Sequence, residues 1–189
     1  VFLQERILDP CGMADTIFWP DEKQTKRLAK TYRTVDGELE VAGNYFVKGG
    51  LSDRSRTPYP AGGLFSTARD MMRFYQMMLH GGVVDGNRLL KKKSVKELTR
   101  TQTGDIKTGF VSGMSWGLGF QVVKEPLGVT EMLSPGTYGH GGAYATNSWA
   151  DPKTGLIYIL MIQRAGFPNA DNSPVRKAFQ QAAADQFAR

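Results

Sequence analysis

The sequence predicts an α+β fold, an antiparallel sheet flanked by helices, on three observations. A capped stretch with one apolar face occupies residues 67–79, short alternating segments separated by Gly, Pro and Asp turns run from 116 to 163, and a second amphipathic stretch closes the chain at 173–187. With 189 residues, the chain is long enough for one domain and short for two. It is read as one unit, 1–189, divided into a helical and loop region (1–112) and a region of sheet strands with a C-terminal helix (113–189).

Each element has its own signal. Val1, Phe2, Leu3, Ile7 and Leu8 read as the tail of a helix stopped by Pro10 and Gly12, so the chain is expected to begin inside a larger protein. Residues 13–62 are poorly periodic, with turns at Asp36-Gly37, at Gly49-Gly50 and over 58–63, and with strand-like pieces at Glu38–Val41 and Tyr45–Val47. Thr67 and Asp70 then have the spacing of a capping box, Met71, Phe74, Tyr75, Met78 and Leu79 recur at helical intervals, and Gly81-Gly82 ends the run. The methionines in this stretch read as adaptable core filling. A shorter helix is expected from Lys92 to Thr101, with Val95 and Leu98 facing inward.

Beyond it the period changes. Trp116–Val123, Tyr138–Gly142, Thr146–Ala150 and Leu156–Gln163 read as strands, and residues 151–155 as a hairpin connection. The apolar run from Leu156 to Ile162 suits a central strand covered on both faces. In the last helix, Ser173–Phe187, Pro174 sits in the first turn and Val175, Phe179, Ala182, Ala183 and Phe187 form the expected inward face.

Composition removes several functional classes. With 41% hydrophobic and 22% charged residues the chain has the make-up of a globular domain rather than a disordered one. Its net charge of +6 is mostly interleaved with acids, and the basic stretches at 23–33 and 91–93 lack the aromatic interleaving of a nucleic-acid surface. The longest apolar run has seven residues, against the roughly 20 that a membrane-spanning helix needs. One Cys and two His, at 80 and 140, leave no ligand set for a dedicated metal site, and no Gly-rich phosphate loop is present, so no cofactor is expected.

Two places remain where chemistry could sit. Gly113-Met114-Ser115-Trp116-Gly117 fits G-x-S-x-G, but a nucleophile elbow needs a strand before the Ser and a helix after it, and the following residues alternate like a strand. Chance agreement in a Gly-rich chain and a complete small hydrolase using Ser115, nominally with His140 and Asp151, are the two readings. The second place is Gly139-His140-Gly141-Gly142-Ala143, where missing side chains would let a ligand lie against a strand edge and an outward N–H receive developing negative charge. A bulged hairpin would use the same glycines.

Five segments taken together carry a resemblance: 8–16 (LDPCGMADT), 60–71 (PAGGLFSTARDM), 116–120 (WGLGF), 139–142 (GHGG) and 151–156 (DPKTGL). In order and spacing the chain resembles the C-terminal half of the class C beta-lactamase-like serine hydrolases, a family that includes penicillin-binding carboxypeptidases and esterases. The resemblance implies a partial beta-lactamase/transpeptidase-like fold lacking its N-terminal strands and nucleophile helix. It also implies that the family's S-x-x-K and Y-x-N motifs lie elsewhere, since no Ser stands three residues before a Lys and no Tyr two before an Asn. The family's K-T-G motif falls on His140-Gly141-Gly142, and Ala143 takes the position whose backbone N–H joins the oxyanion hole. His in place of Lys favours an esterase or peptidase-like member over a true beta-lactamase.

The implied function is therefore acyl transfer on an ester or amide of a small-molecule or peptide-like substrate, with this chain supplying one cleft wall and inactive alone. A non-catalytic binding or regulatory member of the same fold would look the same over these residues. The implied partner is the missing N-terminal portion, or a second copy through self-association, and the implied location is extracytoplasmic.

Overall fold

The computed structural model describes residues 2–44, 46–108, 111–168 and 170–187. A helical turn at Gln4–Leu8 leads to α1 (Glu22–Lys26) and the hairpin of β1 (Thr31–Val35) and β2 (Glu38–Ala42). There follow α2 (Ala68–Leu79), the two-residue strands β3 (Val83–Val84) and β4 (Asn87–Arg88), and α3 (Lys92–Thr99). The rest comprises β5 (Met114–Trp116), β6 (Gln121–Val123), β7 (Tyr138–Gly141), β8 (Asn147–Ala150), β9 (Ile157–Leu160) and α4 (Pro174–Phe187). Strands β5 to β9 form one antiparallel sheet in chain order, with α2 and α4 on opposite faces. The α+β reading holds.

Strand alternation assigns the two faces. Val122, Tyr138, Ala150 and Ile157 stand side by side across β6 to β9 and pack with Tyr75, Met77 and Met78 of α2. The opposite parity, Val123, Trp149 and Tyr158, packs with Phe179 and Ala183 of α4. Local chemistry sets the ends of α2. Thr67 Oγ1 accepts from Asp70 N–H at the start, and at the end Gly81 N–H bonds Met78 O while Gly82 N–H bonds Met77 O, the paired bonds of a Schellman motif. A Cβ on Gly82 would also meet Leu90 O at 2.2 Å.

Several expectations are corrected. The capping box at α2 forms by its Thr67 half alone, because the Asp70 carboxylate accepts instead from Asp15 N–H and Thr16 Oγ1 and so ties the first loop to α2. Trp116–Val123 is two strands, since Gly117 N–H bonds Phe120 O around a two-residue loop in which Gly119 takes φ +88°. The run from Leu156 is an edge strand: α2 and α4 cover its faces, and laterally, among the described residues, β1 meets it just past its end, where Tyr32 bonds Gln163 O and Ala165 N–H and the side chains of Gln163 and Arg164 bond Thr31 and Thr34. On α4 the buried stripe is Arg176, Gln180 and Ala184, whereas Val175 and Phe187 are exposed.

Helix α1 has no counterpart in the sequence reading and is held by a capping box between Asp21 and Gln24, whereas β1 supplies the unassigned partner of the strand read at Glu38–Val41, across the Asp36-Gly37 turn. Both lie in the stretch read as helices and loops. Of the strand-like piece 45–47, Tyr45 lies outside the described residues and Phe46 and Val47 are not strand. Among the described residues no helix is long and apolar enough to cross a membrane.

Candidate active site

β7 runs through the middle of the sheet, yet its last residues have an open side. Gly142 N–H bonds Thr146 O, and by alternation the backbone of His140 and Tyr138 faces β8 while that of Gly139, Gly141 and Ala143 faces β6. β6 begins at Gln121, opposite Gly139, so the edge beyond Gly139 has no strand beside it. Ala143, Tyr144 and Ala145 form a three-residue hairpin loop closed by Ala145 N–H to Gly142 O, with Ala145 at φ +70°. Ala143 is exposed, and among the described residues its N–H has no acceptor.

His140 stands exposed beside this edge. Its Nδ1 meets Gly141 O, an acceptor, so this contact requires the tautomer with the proton on Nδ1 and an unprotonated Nε2. The ring also lies 5.1 Å from that of Trp116, which comes off β5 at the loop the sequence read as continuous strand. The structure thus brings together His140, Gly141, Gly142 and Ala143 along one open strand edge.

Ser115 is not among them. It lies in β5, fully buried, with Oγ donating to Val122 O at 3.4 Å, and a strand rather than a helix follows it. Asp151 is also fully buried and occupied, its carboxylate accepting from the N–H groups of Lys153 and Thr154 in the β8–β9 turn and of Ser134 in the loop before β7. The nominal Ser115–His140–Asp151 triad does not form.

Behind His140 is a phenol that sequence reasoning took only for core. Tyr75 of α2 donates to Ser148 O at 2.8 Å and lies 3.1 Å from Ser148 Oγ, and Ser148 stands opposite His140 in the β7–β8 register. Burial pushes the Tyr75 phenol up to about 12, the Ser148 hydrogen bond opposing, and burial likewise raises that of Tyr138. An unfolded-state value near 10 means that the unfolded chain loses this proton first. Stability is therefore intact below about pH 10 and falls as the pH rises toward 12. Tyr75→Phe should cost about 1 kcal/mol at neutral pH and flatten part of that alkaline loss, as read from urea unfolding at about pH 8 and about pH 11. An unchanged alkaline slope would remove Tyr75 as its source.

Among the described residues no three of His, Cys, Asp and Glu gather as metal ligands.

Comparison with known proteins gives one consistent result. The family model described as Beta-lactamase matches residues 1–183. Protein Rv1367c of Mycobacterium tuberculosis is 33% identical over 180 residues, which cover 85% of this chain and 42% of that protein. An Escherichia coli protein named "Putative D-alanyl-D-alanine carboxypeptidase" is 25% identical over 189 residues, covering 90% of this chain and 41% of the other.

Among solved structures, a mutant of the simvastatin synthase LovD from Aspergillus terreus aligns over 98% of this chain and 50% of its own, with a TM-score of 0.76 and 21% identity. The hydrolase EstCE1, described as having promiscuous acyltransferase activity, aligns over 96% and 49%, with a TM-score of 0.75 and 17% identity. The chain spans about two fifths of the length of these curated relatives and about half that of the solved structures.

Proposed function

Because the chain belongs to the beta-lactamase family, we propose that residues 1–189 are the C-terminal portion of one beta-lactamase-like domain, and that the parent protein is a serine hydrolase acting by acyl transfer. The nucleophilic Ser, its Lys and the Tyr of proton transfer lie in the rest of the parent, and this chain contributes the cleft strand. The observation that carries the reading is the open edge of β7, with the Ala143 N–H, unpaired among the described residues, at its tip and the His140 ring beside it. The names of two relatives, a "Putative D-alanyl-D-alanine carboxypeptidase" and a hydrolase with promiscuous acyltransferase activity, support the same bond chemistry.

In this mechanism the parent's Ser Oγ adds to the ester or amide carbonyl, and its proton passes to the Lys–Tyr pair and on to the leaving group. The carbonyl oxygen becomes an oxyanion held by Ala143 N–H and by the N–H of the Ser itself. Collapse expels the alcohol or amine. Water then adds to the acyl-enzyme, the acid leaves and Ser Oγ is protonated again. The substrate lies along the edge of β7 beyond Gly139, where among the described residues no strand stands beside it, and His140 Nε2 reaches toward it as acceptor. The open lateral side of β9 is where the rest of the parent joins the sheet.

His140→Ala in the full-length parent should lower kcat/KM for an ester by about 10- to 100-fold. A change within about twofold would remove His140 from the site.

A further inference from the structure

A strand carrying Gly139, Gly141 and Gly142 has little side-chain packing to hold it, so its path must be fixed from outside. On the α4 face it rests on two groups. A Cβ on Gly139 would come within 2.7 Å of Trp149 Cδ2, and one on Gly141 within 1.9 Å of Asp171 Oδ1, so both contacts are made directly on the glycine backbone. Trp149 and Asp171 are in turn backed by Arg176, fully buried on α4. Its guanidinium carbon lies 4.0 Å from the Trp149 ring centre, its Nη1 donates to Asp171 O at 2.7 Å and its Nε to Gln180 Oε1 at 3.1 Å. Gln121, at the start of β6, donates from Nε2 to Asp171 Oδ2 at 3.4 Å.

This network is costly for a structural prop. Burial pulls the Arg176 guanidinium down to about 10, with the Asp171 charge opposing, and Asp171 Oδ1, Arg176 Nη2, Gln121 Oε1 and Gln180 Nε2 have no partner among the described residues. An apolar layer could support a sheet at least as well. What it could not supply is a single carboxylate oxygen held in place against the Gly141 Cα, at the one strand that carries the cleft.

We propose that Asp171, held by Arg176 and Gln121, is a positioning residue that sets the backbone at Gly141 and thereby aims the Ala143 N–H and the His140 ring. The proposal deepens the acyl-transfer reading and rests on it for its kinetic consequence alone.

The test uses the full-length parent, with rates counted per labelled active-site Ser so that loss of folded protein does not register. Asp171→Ala should lower kcat for an ester about tenfold with KM within about threefold, and Asp171→Asn, which keeps an oxygen at the same place, should recover part of the loss. Gly141→Ala should be severe, because its methyl meets the Asp171 carboxylate, and Asp171→Ala added to it should restore part of the rate. Hydrogen exchange at Gly142, whose N–H bonds Thr146 O, needs no substrate, and should speed up in Asp171→Ala with the hydrogen-bonded amides of Tyr138, His140 and β8 unchanged. Faster local exchange in a parent that never acylates would sustain the positioning role while the acyl-transfer reading fails. Unchanged exchange, or additive losses in the double variant, would overturn the proposal.

Discussion

Ala143→Pro in the full-length parent is expected to lower ester turnover by about 10² to 10³-fold, the loss that follows removal of one oxyanion donor. Ala143 is exposed at the tip of the β7–β8 hairpin, its N–H is unpaired among the described residues, and its methyl group has no part in the proposed role. The substitution therefore removes a donor and no packed side chain. Ala143→Ser keeps the N–H and should run near the wild-type rate, which separates loss of the donor from intolerance of change at the position. Equal losses in both variants would place the effect in the loop, and no loss in either would place the oxyanion elsewhere.

The second large effect concerns assembly. By alternation from the Asp151–Leu156 backbone bond, the N–H and C=O groups of Ile157, Ile159 and Met161 point away from β8, and among the described residues β1 covers that edge just at residues 163–165. Next to that edge a cleft of about 440 Å³ is walled by Met72, Leu156, Ile157, Ile159, Phe179 and Phe187. An unpaired strand edge beside apolar surface invites association. The 189-residue chain alone should sediment as a dimer or larger at about 100 μM, and Ile159→Lys, which puts a charge at the edge, should shift it to monomer. A monodisperse monomer that unfolds cooperatively would contradict the view that this side of the sheet awaits the rest of the parent.

Much of the architecture was legible where a single residue type carries a local requirement. Thr67 and the Gly81-Gly82 pair bound α2 because a cap oxygen and two left-handed residues are needed at those places. Asp36-Gly37, both at positive φ, closes the β1–β2 hairpin for the same reason. What escaped were features decided by distant partners. Nothing local distinguishes an edge strand from a central one in Leu156–Ile162, since α2 and α4 demand apolar side chains on both faces either way.

Arg176 and Gln180 had no place in the sequence reading of the last helix, because their burial depends on Trp149 and Asp171. A polar i, i+4 pair in line with Ala184 was the only hint of that stripe. In the site, His140 to Ala143 stood out through three glycines and a family resemblance, whereas the Tyr75–Ser148 bond and Asp171 depend on the sheet register and on α4. Ser115 shows the converse. Five letters matched a catalytic motif, and the strand that follows them leaves the hydroxyl buried against Val122 O.

The most direct measurement is residue-resolved labelling with a fluorophosphonate, run in parallel on the 189-residue chain and on the full-length parent. The chain alone should stay unlabelled, and the parent should take up one equivalent on a Ser outside residues 1–189. Stoichiometric label on the chain, above all on Ser115 and lost in Ser115→Ala, would contradict the assignment of this polypeptide as one wall of a site completed by the rest of its parent.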